Sequence, residues 1–371
     1  MTFDLAVVGA GIVGLAHALA AARRGLSVVV VERDGQANGA SIRNFGLVVV
    51  SSEEAGRQRR LAERSRAIWL EIAEPAGIDI LHTGLMAVAQ RAEALDLLEA
   101  FAGSEGGAGC TMLSRQEMER RQPGLNLANL RGGLFSPLEI RVESREALPR
   151  IVTYLRDRWK VEFRYGQTVV DVSPPVIATS AGPVRARRVV VCPGDDLAGL
   201  FPDAIARHEV RRCKLQMLRL SAGTIGLGSA IVSDLSLIRY GGYASLPQAS
   251  ALRARLEADS ADALRNGVHM IAVQSADGSL VVGDSHHYAH TPDPFASEAV
   301  DELILKEFGR VFSATPHVTA RWTGTYASAP VRAHFREAVG DDTRLVMITS
   351  GTGASTAFAI GEETIDELFG G

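Results

Sequence analysis

The sequence predicts an α/β protein in which a Rossmann-like, dinucleotide-binding sheet carries a second, interleaved α+β domain built on an antiparallel sheet. Three observations predict it. Residues 3–14, FDLAVVGAGIVG, run from an apolar stretch into G-x-G-x-x-G; an Ala-rich helical stretch, Ile12 to Arg24, follows at once. A second apolar run, Val28 to Val31, ends in Glu32, eighteen positions past Gly14. Strand, glycine turn, helix, strand and acid is the order of a nucleotide-binding unit. Gly9 permits the tight turn, Gly11 lets backbone approach a pyrophosphate, and Gly14 lets the helix lie close on the strand. The phosphates would meet the free N–H groups and positive end of that helix, and Glu32 a ribose hydroxyl.

The elements follow in order. After Glu32, the small and polar stretch Gly39 to Gly46 suits close approach to a ligand, and Leu47 to Val50 are apolar again. Leu61, Ile68, Trp69 and Ile72 mark one face of a helix closed by Pro75 and Gly77. Ile80 to Gln90 read as strand, Ala94, Leu97, Leu98 and Phe101 as a helix face, and Ser114-x-x-Glu117 as a capping box. A helix from about Ser144 to Trp159 is followed by Thr168 to Val172 and by Arg188 to Gly194, the rhythm of a nucleotide-binding sheet returning. From about 214 to 320 the segments alternate, with a hairpin at Asp277-Gly278 between His269–Ser275 and Leu280–Gly283. Ser297 to Phe308 is helical; Leu345 to Thr349 is a strand, then come Gly351 to Thr356 and a final helix to Phe369.

Composition narrows the function. A chain of 371 residues with 46% hydrophobic and 22% charged residues has ample core for two domains. The net charge of -4 and the lack of basic blocks give no footprint for nucleic acid or for a membrane surface. Cys110, Cys192 and Cys213 lie far apart without C-x-x-C, which fits small buried residues in a reducing compartment. Leu5 to Ala22 is nearly uncharged, yet its glycines and His17, with Arg23 and Arg24 after it, fit strand–turn–helix better than a membrane span or signal sequence. A cytoplasmic protein is expected.

Four stretches, VVGAGIVGL with Glu32, GASIRNFG, VVVCPG and the closing LVMITSGTGASTAFAIGE, together resemble the FAD-dependent D-amino acid oxidase superfamily, the group holding glycine and sarcosine oxidases. They keep that family's order along the whole chain. SIRNFG, FSPLEIRVESREA and WTGTYAS resemble, more narrowly, a bacterial subgroup associated with catabolism of aminoethylphosphonate-type compounds.

The resemblance implies a glutathione reductase-type FAD-binding domain over 1–79, 141–213 and 321–371, and a substrate domain over 80–140 and 214–320. It places Gly9, Gly11, Ile12, Val13 and Gly14 at the pyrophosphate, Glu32 at the ribose with Arg33 beside it, and the Val170 backbone at the adenine. Ser41, Arg43, Asn44, Phe45 and Gly46 would approach the flavin or its substrate, and Pro193 and Gly194 would join the cofactor contacts. Gly351, Gly353, Ala354, Ser355 and Thr356 would face the pyrimidine end of the isoalloxazine, where a helix N-terminus favours the negative charge left by two-electron reduction. Many relatives carry an Arg-Pro pair shortly after W-x-G; here Trp322-Thr323-Gly324 runs into Thr325-Tyr326-Ala327, so a simple α-amino acid held by that arginine is not implied. No cysteine follows Cys213, and a non-covalent flavin is expected.

The implied chemistry is oxidation of a C–N bond in a small, anionic amine, with O2 or another carrier as electron acceptor. Arg43 and Arg239 are the cationic candidates for the anion; Asn44, Phe45, Tyr240, His286, His287, Tyr288 and Tyr326 complete the candidate substrate shell. Lys214 is a candidate neighbour of the flavin. His286, His287 and His290 could suggest a metal, but neighbouring strand residues face opposite ways and no acid or cysteine completes the spacing, so no metal is expected. A nicotinamide-dependent dehydrogenase would share the first motif and Glu32, and a non-catalytic dinucleotide-binding protein would share the fold. Oligomeric state is open.

Overall fold

The computed structural model describes residues 1–221, 223 and 225–370. Its first sheet has the strand order 334–340, 343–348, 184–191, 3–8, 28–31 and 162–164. Along this order neighbours are parallel except the first pair, an antiparallel hairpin; off it, 176–179 pairs antiparallel with 184–191. Val28–Val31 are buried throughout because the sheet is covered on both faces, which is why this run shows no alternation. Helices Ile12–Arg23, Arg57–Ala73, Ser144–Trp159 and Gly353–Phe369 share one hydrophobic core on that sheet. Trp69, 1% exposed, lies edge-on to Phe358 at 5.1 Å. Its indole N–H donates to the Ala354 carbonyl at 2.8 Å, so a core side chain also fixes the start of the terminal helix.

The first and terminal helices touch directly. A Cβ at Gly361 would come within 2.9 Å of the Ala16 backbone, so only glycine permits this spacing. Gly353, the first residue of the terminal helix, would set a Cβ 3.5 Å from Ile12. Residues at opposite ends of the sequence thus bring two helix N-termini to one place.

The second sheet is mostly antiparallel, in the order 287–289, 211–221, 280–283, 271–274, 230–232, 82–89, 132–141 and 47–48, with 317–328 also on 211–221 and 111–114 on 132–141. The expected D-G hairpin is present: Ile271–Gln274 pairs Leu280–Gly283, and Gly278 takes φ +81°. Ser114 and Glu117 form the expected capping box.

Pairing adds what sequence does not show. The strand 317–328 pairs Arg211–Ser221 from end to end, within the second sheet. Val169–Ser173 does not extend the parallel sheet; it pairs antiparallel with Val176–Thr179 on its flank. A sequence run of valines shows strand but not its partner, because partner choice is long-range. Among the described residues no helix is long and apolar enough to cross a membrane, and the uncharged N-terminal stretch is strand, turn and a helix of 12 residues.

Candidate active site

The glycine turn opens on the cavity that joins the two sheets. Gly9 sits at φ +101°, and a Cβ at Gly14 would fall 1.9 Å from the Gly9 carbonyl oxygen, so helix and strand pack at backbone contact. Ser41 Oγ accepts from the Ile12 N–H at 3.0 Å. Glu32 accepts from the Ala10 N–H at 2.7 Å and from the Asp34 N–H at 3.0 Å, so its carboxylate braces the turn. Arg33 bonds Asp196 at 2.9 Å, across the second glycine turn, where Gly194 takes φ +65° after Pro193. Val170 is 62% exposed, and the register of its strand shifts between Val169 and Asp171, leaving it without a cross-strand partner there.

The cavity, about 410 Å³, is lined by Gly11 to Gly14, Ser41, Arg43 to Phe45 and Gly194, and by Gly351 to Ser355. Gly46 and Thr356 stand behind the wall: the Gly46 N–H donates to Asn44 Oδ1 at 2.7 Å, and the Thr356 hydroxyl to the Thr352 carbonyl at 3.0 Å. Asn44 also donates to Ala40 O at 2.8 Å and accepts from Ser144, so it shapes the loop. Arg43 reaches Asn38 at 3.2 Å, and its carbonyl accepts from the Trp322 indole at 3.2 Å, tying the loop to the W-T-G strand.

These residues fit a dinucleotide. A glycine cradle beside two helix N-termini supplies N–H donors and positive dipoles to anionic groups. Ser355 Oγ accepts from the Val49 N–H at 2.8 Å, locking the terminal helix against the strand that follows the loop.

The other wall of the cavity comes from the second sheet: Leu215, Arg239, Tyr240, His269, Ile271, Asp284, His286 and Tyr326. Arg239 donates to the Tyr288 hydroxyl at 3.1 Å. Burial works against its charge, but Tyr288 and Asp284 beside it outweigh burial and keep it charged. Asp284 is 4% exposed; His269 Nε2 lies 3.0 Å from Oδ1, and His286 Nε2 lies 3.7 Å from Oδ2. Each imidazole is set by its other nitrogen, at 3.2 Å from Ser236 Oγ for His269 and 2.9 Å from the Gly267 carbonyl for His286. Burial opposes the Asp284 charge, but His286, His269 and Arg239 outweigh it and hold the carboxyl below its usual range. Burial pushes His286 down to about 3 and lowers His269, so both imidazoles are neutral at neutral pH.

Several sequence-predicted residues thus converge, and others, Tyr288, His287 and Val170 among them, do not line the cavity. His287 points away from His286, with Nε2 3.1 Å from Asn266 Oδ1. Lys214 is buried, donates to the Phe295 carbonyl at 2.7 Å and is not part of the cavity lining. The histidine reading is corrected: an acid does join His286, and it is Asp284 together with His269, their ligand-type atoms all within 4.8 Å of one another. His287 and His290 are not in that cluster. His269, Asp284 and Glu53 were not picked out from sequence. D-S-H-H and S-S-E-E, acids directly beside apolar strands, were the available signal.

Comparison with known proteins agrees with this geometry. The family described as "FAD dependent oxidoreductase" (DAO) matches residues 4–367. Glycine oxidase of Geobacillus kaustophilus is 27% identical over 205 residues, 52% of this chain and 54% of that protein. The bifunctional protein ThiO/ThiG of Nostoc sp. is 27% identical over 233 residues, 59% of this chain and 34% of that protein. The match therefore spans about a third to a half of these curated relatives. Among solved structures, glycine oxidase from Bacillus cereus superposes with a TM-score of 0.78 at 17% identity, covering 100% of this chain and 95% of that one. L-proline dehydrogenase from P. horikoshii gives 0.80 at 18% identity, covering 99% and 93%. Both likenesses show the fold. With the match running nearly end to end, the chain belongs to the DAO family of FAD dependent oxidoreductases.

Proposed function

We propose that this chain oxidises the C–N bond of a small anionic amine, an N-alkylated aminoalkylphosphonate or an amino acid, with non-covalent FAD as oxidant. The observation that carries the reading is Arg239: a charged guanidinium, backed by Tyr288, on the same cavity as the two helix N-termini. When bound, FAD would supply the two-electron oxidising power for the carbon beside nitrogen, and the substrate, once an imine, would hydrolyse to a carbonyl compound and an amine.

The chain's own residues do the rest. Arg239 holds the substrate anion, with the Tyr240 and Tyr326 hydroxyls as neutral donors on the same wall. Asp284, anchored by two imidazoles, keeps Arg239 in place. Leu47, Val49, Leu215 and Ile271 give that end an apolar lining that limits water around the donor carbon. The first helix and Ser41 would hold the pyrophosphate, and the terminal helix would supply positive potential to the flavin. Gly351 positions Tyr326: a Cβ there would meet the phenol ring at 3.3 Å.

Glycine or sarcosine oxidation is the second reading, favoured by the glycine oxidase relatives. Anaerobic addition of glycine, sarcosine, D-amino acids and N-methyl-2-aminoethylphosphonate to the yellow protein separates the two. Bleaching of the visible flavin band by the phosphonate at lower concentration than by sarcosine supports the first reading. The reverse order supports the second, and no bleaching by any amine refutes both.

A further inference from the structure

A buried carboxylate on the cavity wall takes no part in the arrangement described so far. Glu53 is 6% exposed, lines the cavity, and its Oε1 has no hydrogen-bond partner among the described residues. The segment carrying it is pinned on both sides. Glu139 Oε1 accepts from the Val50 N–H at 3.3 Å, the Ser51 N–H at 2.8 Å and the Ser51 hydroxyl at 2.6 Å. Gly242 donates its N–H to Ser52 O at 2.9 Å, and a Cβ there would come 2.9 Å from both the Ser52 and Glu53 carbonyls. Gln58, a further cavity residue, reaches Thr352 Oγ1 at 3.4 Å, which places this segment beside the terminal helix N-terminus.

Three carboxylates line the cavity, Glu53, Glu54 and Asp284; Glu54 is exposed, and the two buried ones differ in their surroundings. Asp284 lies beside the His269 and His286 imidazoles, and the charge of the nearby Arg239 favours its ionised form. Among the described residues no cation faces Glu53: the ionisable groups felt across its surroundings are Glu54 on its own segment and Tyr240 opposite, with the neutral Gln58 as donor. A buried carboxylate without a counter-cation is costly to fold and is retained where a ligand supplies the missing partner.

Building on the amine-oxidase reading, we propose that Glu53 takes the proton from the substrate's ammonium group, so that the amine reaches the oxidation step uncharged. One N–H bond of the ammonium breaks, its electron pair stays on nitrogen as the lone pair, and the proton goes to the Glu53 carboxylate. No electrons change hands in this step. Arg239 would hold the anionic end of the substrate and Glu53 the cationic end, a polarity that matches a zwitterion lying across the cavity. Burial pushes the Glu53 carboxyl up to about 7, against the bond from Gln58 and aided by Glu54, which suits an acceptor working near neutral pH.

Anaerobic stopped-flow reduction of the flavin by sarcosine and by N-methyl-2-aminoethylphosphonate, followed from about pH 5.5 to 10, tests the assignment. The wild-type limiting rate is expected to climb through about pH 7 and then level. In Glu53→Gln the climb moves towards the amine's own range near pH 10, with a loss of about 10²- to 10³-fold at pH 7 that high pH restores. A Glu53→Gln profile identical to wild type, or a uniform loss that high pH does not rescue, overturns the proposal. Should that variant not retain FAD, the wild-type profile decides: a flat rate through pH 7 overturns it and a rise supports it. Wild-type protein bleached by no amine would refute the amine-oxidase reading itself; bleaching without the neutral rise refutes the Glu53 assignment alone.

Discussion

The two ends of the cavity are built from different materials. The cofactor end is mostly backbone: glycines, N–H groups of two helices, and loop carbonyls, braced by Glu32, Ser41 and Asn44. The substrate end is mostly side chain: Arg239, His269, Asp284, His286, Tyr326 and Glu53, brought from four separate stretches. Backbone recognition needs particular residues only where a side chain would be in the way, and it therefore leaves a compact motif in sequence. Side-chain recognition needs only that the right groups meet in space.

The strongest way to break the cofactor end is to fill it. Gly14→Val places branched carbon where Cβ alone would sit 1.9 Å from the Gly9 carbonyl oxygen. The helix must lift off the strand, at a cost of about 3 kcal/mol or more. We expect little soluble protein, and what is recovered should be colourless; a yellow, wild-type-stable variant would mean that the turn is not tightly packed.

The substrate end is expected to show the opposite behaviour, with function held at the expense of stability. The Glu53 carboxyl is raised from 4.5 to about 7 in the folded protein. Its contribution is fully present below pH 4.5 and is lost as pH rises through 7, about 3 kcal/mol in all. Glu53→Gln removes the ionisation. The variant should therefore gain in melting temperature over wild type between pH 5 and pH 8, by several degrees. Differential scanning calorimetry at the two pH values checks this, and the difference between proteins cancels the histidines that titrate in both. An unchanged difference would mean that Glu53 is well solvated or ion-paired.

Legibility follows the same division. The strand, glycine turn and helix of residues 3–23 and the G-T-G before the terminal helix could be read because spacing and flanking hydrophobicity fix such elements locally. His286 was readable as a candidate, but its partners were not: His269 and Asp284 join it because residues 269 and 284 flank the two strands of one hairpin. Nothing in the order of residues states that register. Glu53 looks like any surface acid in sequence; Glu139 and Gly242, far along the chain, are what bury it. The side taken by strand 317–328 was likewise hidden, because W-T-G-T-Y-A-S alternates in a way that either sheet accepts.

The two arginines sharpen the comparison inside the substrate end. Arg239 faces the cavity with Tyr288 behind it, whereas Arg43 is held by Asn38 and lies within 3.5 Å of the Thr323 carbonyl. Arg239→Ala should raise the apparent KM for acidic amines about 10- to 100-fold, the worth of a charge-assisted contact, and leave uncharged amines and FAD content nearly unchanged. Arg43→Ala should affect FAD retention more than discrimination between amines. If the two variants exchange these phenotypes, the substrate anion sits at the loop of residues 39–46 and the polarity inferred for the cavity is reversed.

The mildest test falls on Glu32, where the two materials mix. Its carboxylate already accepts two backbone N–H groups, from Ala10 and Asp34. One oxygen of a glutamine can replace one of those acceptors, while its NH2 group faces a donor where an acceptor is needed. Glu32→Gln should thus weaken FAD binding by about 10-fold, one charge-assisted hydrogen bond's worth, and leave turnover of the flavin-loaded enzyme close to wild type. FAD titration by fluorescence and single-turnover reduction read the two quantities separately. Equal losses in both would show that Glu32 acts on the reacting centre, and the division between a backbone-built cofactor end and a side-chain-built substrate end would not hold.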